Sequence, residues 1–141
     1  MSTMQQAAER FMLGVKPGQG WEAWQPFCHP DATFRKLGTS SVGMEVHDSL
    51  REFAESTKAL VALFPDLREE LRSLAIDEAR QIAIAYLVIK GTHTGEGGPV
   101  PPTGKAFEVD AVYVMSFDGD RLRHLTMVMN DLVVDKQLGW A

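Results

Sequence analysis

Asp131, His93 and Tyr113 are the side chains of this sequence best suited to moving a proton in an apolar setting. A carboxylate can take a proton from carbon, an imidazole can pass it on, and a phenol can donate a hydrogen bond to an oxygen that gains charge. Alternation along a strand places them together. In the run 107–117 the odd positions Phe107, Val109, Ala111, Tyr113, Met115 and Phe117 form an apolar face, with Glu108, Asp110 and Ser116 opposite. In 121–131, Leu125, Met127, Met129 and Asp131 share a face, and His124, Thr126 and Asn130 take the other. Tyr113 is then the polar group amid Phe107, Met115, Leu125 and Met127; its hydroxyl can meet a substrate carbonyl or enolate, or it is an aromatic core residue. The expected ligand-lining set is Met127, Trp24, Phe107, Met115, Leu125 and Met129, with Trp21 and Trp24 either stacking on a flat ligand at the pocket mouth or packing helix on sheet.

The turn Asp118-Gly119-Asp120 sets the register. A three-residue turn with Gly119 in a left-handed bulge keeps odd against odd, pairing Phe117 with Arg121, Tyr113 with Leu125 and Phe107 with Asp131. With Phe107 also opposite His93, His93 and Asp131 stand two strands and roughly 10 Å apart, close enough for an acid/base pair through their side chains or a water. The competing reading has Asp131 capping the closing helix and His93 making a local backbone bond.

The elements that must position these residues follow from periodicity. Residues 3–13 have helical spacing, with Thr3 and Gln6 as a capping box; Trp21, Trp24 and Phe27 form a short second helix. Ala32 and Phe34 point one way in a short strand after Pro30, and Gly38 to Gly43 is a polar loop. Ser49 and Glu52 cap a long helix whose buried stripe is Leu50, Phe53, Ala54, Leu60, Val61 and Phe64, ended by Pro65. The run 67–76 has helical composition but reads as a strand on topology. Residues 82–89 have no polar face, which suggests a central strand covered on both sides. A short helix follows Asp131. Helices followed by antiparallel strands give an α+β fold, a curved sheet with N-terminal helices packed on it, in one domain over 1–141.

The formal net charge of −5 is spread without a Lys/Arg cluster, so nucleic acid and anionic membrane are not expected partners. The single cysteine, Cys28, cannot form an internal disulfide and reads as a small buried hydrophobe. His29, His47 and His124 lack metal-ligand spacing: His29 and His124 suit turn and surface positions, and His47 can reach the pocket rim. GEGGP opens no helix and is no dinucleotide loop, so no cofactor and no metal are expected. No apolar run spans a membrane and the N-terminus lacks a signal pattern, which points to the cytoplasm.

The residues GTHTGEGGPVPPTGKAF, the DGDRL turn and the terminal QLG resemble the SnoaL-like polyketide cyclase family, within the nuclear-transport-factor-like superfamily; the match is collinear from about Leu71 to Gly139. The resemblance implies a cone-shaped α+β barrel, a homodimer, and cofactor-free aldol closure of an aromatic polyketide ester, with an Asp as base and a His assisting. Counting back from QLG, the Asp position is Met127 and the His position is Tyr113, while the acid that ends this strand falls at Asn130, beside Asp131. Methionine cannot take a proton. The expected function is therefore binding of a small hydrophobic, aromatic ketone or ester in a cone-shaped pocket, with cyclisation or related acid/base chemistry by Asp131, His93 and Tyr113. The alternatives are a binding protein that has lost the base, or an isomerase or dehydratase of the wider superfamily.

Overall fold

The computed structural model describes residues 2–38 and 47–141. Of the polar loop expected over Gly38 to Gly43, all but Gly38 lies outside them. Helix α1 (Thr3–Gly14) is capped by Ser2, whose side chain accepts from the Gln5 amide at 3.0 Å, so the cap is one residue before the expected Thr3. Helix α2 (Trp21–Trp24) runs into a 3₁₀ turn over Gln25–Phe27, and strand β1 (Cys28–Leu37) starts directly after it. Helix α3 (Leu50–Leu63) has the expected Ser49 cap, which accepts from the Glu52 amide at 3.0 Å. Then follow β2 (Arg68–Asp77), β3 (Ile82–Thr92), β4 (Ala106–Asp118), β5 (Arg121–Met129) and α4 (Asp131–Leu138).

The strand order is β1-β5-β4-β3-β2, all neighbours antiparallel except β1 with β5. The fold is α+β as expected, but the sheet curls without closing, and β1 and β2 are its edges. The central strand is β4 rather than β3. Nor is β3 covered on both sides: Ala83, Ala85, Leu87 and Ile89 are buried, whereas Ile84 and Tyr86 are 43% and 42% exposed on the outer face. An all-apolar run can thus have one open face, and periodicity cannot tell which.

The β4–β5 register also departs from expectation. Asp118 pairs with Arg121, so the turn has two residues, with Gly119 at φ 61° in the left-handed region. A bulge absorbs the parity mismatch: Phe117 pairs with Leu122 and Ser116 with His124, after which odd faces odd again. Tyr113 therefore lies opposite Met127, not Leu125, and Met115 opposite Leu125. The pairing ends at Ala111 with Met129, and Phe107 faces Gly91 on its other side, so it pairs with neither Asp131 nor His93.

The inner face carries the core. Helix α1 packs across β2 and β5, α3 over β1, and α4 against β4. Leu87, Met115, Leu122 and Leu125 have no exposed surface, each worth about 1.5–3 kcal/mol of burial. Phe34 stacks on Phe53 of α3 at 4.1 Å, tying the edge strand β1 to the helix layer. Where β5 stops short, the Gln137 side chain of α4 satisfies the bare edge of β4, accepting from the Glu108 amide at 2.8 Å and donating to its carbonyl at 3.2 Å.

Candidate functional site

Registers, not sequence distance, assemble the inner face. One row across four strands reads Lys36, Met127, Tyr113, Ala85, and the next reads Phe34, Leu125, Met115, Ala83. Met115 and Leu125 are fully buried floor, Met127 and Tyr113 are 6% and 5% exposed, and Met129 is half-buried at the end of β5. The small side chain of Ala85 beside Tyr113 leaves the phenol room to cross β3 towards β2.

There the Tyr113 hydroxyl donates to Glu69 Oε1 at 3.1 Å. Glu69 lies opposite Ile89, on the face of Leu87 and Tyr113, with Leu71 on the same side of β2. Its side chain is exposed on the edge strand β2, although protein packs around the carboxyl. Burial pushes it up to about 7, against the opposing pull of the Tyr113 hydrogen bond and of the Lys16 charge. The Tyr113 hydroxyl is held well above the ordinary phenol value by its burial and by the adjacent Glu69, so it is a neutral donor.

Glu69 was missed by sequence reasoning for a physical reason. A bulge between Leu71 and Ser73 flips the parity of β2, so that Glu69 and Leu71 share a face with Leu74 and Ile76, and no single alternation runs through the segment. The available signal was local: Leu67, Glu69 and Leu71 have one parity, and an acid between two leucines is on an apolar face.

Asp131 and His93 occur in separate settings. Asp131 is the first residue of α4, whose cap is Asn130, and its buried carboxylate forms an ion pair with Lys36 of β1, the side chains being 2% and 20% exposed. Sequence reasoning missed Lys36 because only the parallel β1–β5 pairing brings it there. His93 stands opposite Lys105, its amide donating to that carbonyl at 2.9 Å. The imidazole is fully buried beside Phe64 and Trp140; Nδ1 accepts from the Thr103 amide and from Trp140 Nε1, each at 3.2 Å. Phe107 belongs to this cluster, 5.1 Å from Phe64. The register expected to bring His93 and Asp131 to either side of Phe107 is absent, and the two have no common partner among the described contacts.

Trp24 is buried edge-on against Phe11 and Phe53, at 5.6 and 5.9 Å, and its indole N–H has no hydrogen-bond partner among the described residues. Trp21 is buried too, its amide donating to Glu55 Oε1 at 3.0 Å. Cys28 is buried and its thiol is pushed up to about 12, inert as a nucleophile. His29 and His124 are strand residues, hydrogen-bonded to Asp118 at 3.3 Å and to Thr33 at 2.7 Å, and His47 pairs with Glu52 at 3.7 Å. Among the described residues no group of three His, Cys, Asp or Glu side chains is placed to hold a metal, and no helix is long and apolar enough to cross a membrane. Two open depressions, of about 550 Å³ beside Leu13 and Phe27 and about 450 Å³ beside Lys90 and Gln137, are lined by neither Tyr113 nor Met127.

The profile of the SnoaL-like polyketide cyclase family matches residues 5–138. Among solved structures, a SnoaL-like polyketide cyclase from Jannaschia sp. CCS1, described as putative in its own right, superposes with a TM-score of 0.77 at 15% identity, over 99% of this chain and 93% of that one. IdmH of Streptomyces antibioticus, a polyketide cyclase with the same qualification, gives 0.74 at 20% identity, over 99% of each chain. A third such cyclase, from Acidithiobacillus ferrooxidans, gives 0.73 at 24% identity, over 99% of this chain and 96% of that one. No curated protein matches.

Proposed function

Because the chain belongs to the SnoaL-like polyketide cyclase family, we propose that its concave face takes up a small hydrophobic, aromatic ketone or ester and supports cofactor-free cyclisation or a related proton transfer. The observation that carries this is the Tyr113 hydroxyl set among Ala85, Met115 and Met127 on the inner face and linked to Glu69 at the open edge. Apolar walls with one or two placed polar groups are what a flat ketone needs, contact area for its ring and a donor for its oxygen. Leu71, 36% exposed beside Glu69, favours entry from the β2 side, and the Trp24 indole N–H, without a partner among the described residues, is a candidate second donor. A second reading, a binding protein without turnover, is favoured by Met127, a buried thioether at the position where the family resemblance puts the base.

The test is incubation of the purified protein with an aromatic polyketide methyl ester, read by mass spectrometry, with binding followed by thermal shift. Cyclised or isomerised product supports the enzyme; saturable binding without product supports the binder; the absence of both product and binding refutes the pocket. We also propose that the outer face, where Ile84, Tyr86 and Val128 are exposed, mediates a homodimer. An Ile84→Lys variant that elutes with the same mass as wild type in light scattering would refute that.

A further inference from the structure

Three carboxylates of the sheet and its closing helix are in different states. Asp131 is buried and ion-paired with Lys36. Glu70, the neighbour of Glu69 on β2, faces outward and is surrounded by Arg68, Arg72 and Lys90. Glu69 has no ion pair among the described residues, accepts one hydrogen bond, from Tyr113, and keeps an exposed side chain. A general base must be reachable, oriented and not neutralised by a fixed cation, and of the three Glu69 alone meets those conditions.

We propose that Glu69 is the proton acceptor of this site, acting as a dyad with Tyr113 on ketones or esters that carry an enolisable C–H. The assignment rests on the reading that the concave face takes a ketone, and it moves the base from β5, where Met127 stands, to β2. The Tyr113 O–H fixes Oε1, leaving Oε2 without a hydrogen-bond partner among the described residues. Oε2 takes the proton from the carbon next to the carbonyl; the C–H pair becomes the carbon–carbon double bond of the enolate, and the carbonyl π pair moves to oxygen. Neutral Glu69 no longer needs the Tyr113 proton, so that hydroxyl can turn to the enolate oxygen. Returning the proton to carbon exchanges or isomerises the ketone; attack of the enolate carbon on a second carbonyl closes a ring, and Glu69 then gives its proton to the new alkoxide. No oxidant, reductant or metal enters the balance. The titratable and charged groups that bear on Glu69 are Tyr113 on β4 and Lys16 in the α1–α2 loop, and a carboxyl pushed up to about 7 is matched to proton transfer near neutrality.

The experiment uses the full chain with 1-tetralone in D2O, scoring deuterium uptake at the enolisable carbon by mass spectrometry and binding by ligand-observed NMR. The expected result is catalysed exchange that rises with pH through a midpoint near 7, falls about 10²–10⁴-fold in Glu69→Gln with binding retained, and in Tyr113→Phe is slower with its midpoint moved upward, since the lost hydrogen bond had favoured the carboxylate. Binding with exchange absent, or unchanged in Glu69→Gln, overturns this assignment and leaves the pocket standing. Absence of binding overturns the pocket and the assignment with it. A ¹³C titration of the Glu69 carboxyl in the free protein is independent of any ligand: a midpoint at the ordinary 4.5 would also overturn the assignment.

Discussion

Replacing Lys36 with methionine isolates what the Lys36–Asp131 pair does. Met preserves most of the aliphatic stem that packs beside Met127 and removes the ammonium that pairs with a carboxylate whose side chain is 2% exposed. Withdrawing one member of a buried pair costs about 3–5 kcal/mol, because the charge that remains has lost its ion-pair partner in a poorly solvated place. For a domain of 141 residues, at about 2.1 cal/mol/K per residue, the unfolding entropy is near 0.3 kcal/mol/K, and the melting temperature should fall by about 10–17 °C. Removing both charges together, as Lys36→Met with Asp131→Leu, should recover most of that loss. Urea unfolding followed by circular dichroism measures both, and a double-mutant cycle gives the coupling. The reasoning is refuted if Lys36→Met costs less than about 1 kcal/mol, the range of an exposed pair, or if the double variant loses the sum of the single losses. If the coupling is found, Asp131 is a structural anchor that joins β1 to α4, and any activity lost in its variants follows stability rather than proton transfer.

Three other perturbations follow from the same geometry. Glu69 is raised from an ordinary 4.5 to about 7, so its contribution to stability is fully present below about 4.5 and is lost as pH rises through about 7; Glu69→Gln should therefore gain in melting temperature relative to wild type between pH 4.5 and pH 8, and an equal difference at both would refute it. A Cβ on Gly95 would sit 1.6 Å from the Ala62 carbonyl oxygen, so Gly95→Ala should push the 94–105 loop off the end of α3 and cost about 1–3 kcal/mol in urea unfolding, no change being the refuting result. Met115→Ala opens a hole under Tyr113 at a site with no exposed surface and should cost about 2–5 kcal/mol by the same assay.

The sequence by itself determined the elements and one face of the sheet. Ser49 with Glu52, Pro65, the odd-numbered apolar run of β4 and the left-handed Gly119 are local chemistry, and each is found where its own residues put it, although the turn at Gly119 has two residues rather than three. So is the apolar face that Met115, Leu125 and Met127 share, because alternate residues of a strand face one way. Tertiary structure decided which of these faces meet. The bulges at the β4–β5 turn and in β2 shift register in a way that alternation cannot show, since one extra residue moves every later side chain to the other face. Through the first, Tyr113 faces Met127; through the second, Glu69 shares a face with Leu74 and Ile76. The parallel pairing of β1 with β5 has no local signal in the sequence, and it brings Lys36 to Asp131 across 95 residues of chain. His93 shows the converse: its partners Thr103 and Trp140 depend on how a Gly/Pro-rich loop and the C-terminus fold back, so an imidazole that could have moved protons is a buried hydrogen-bond acceptor.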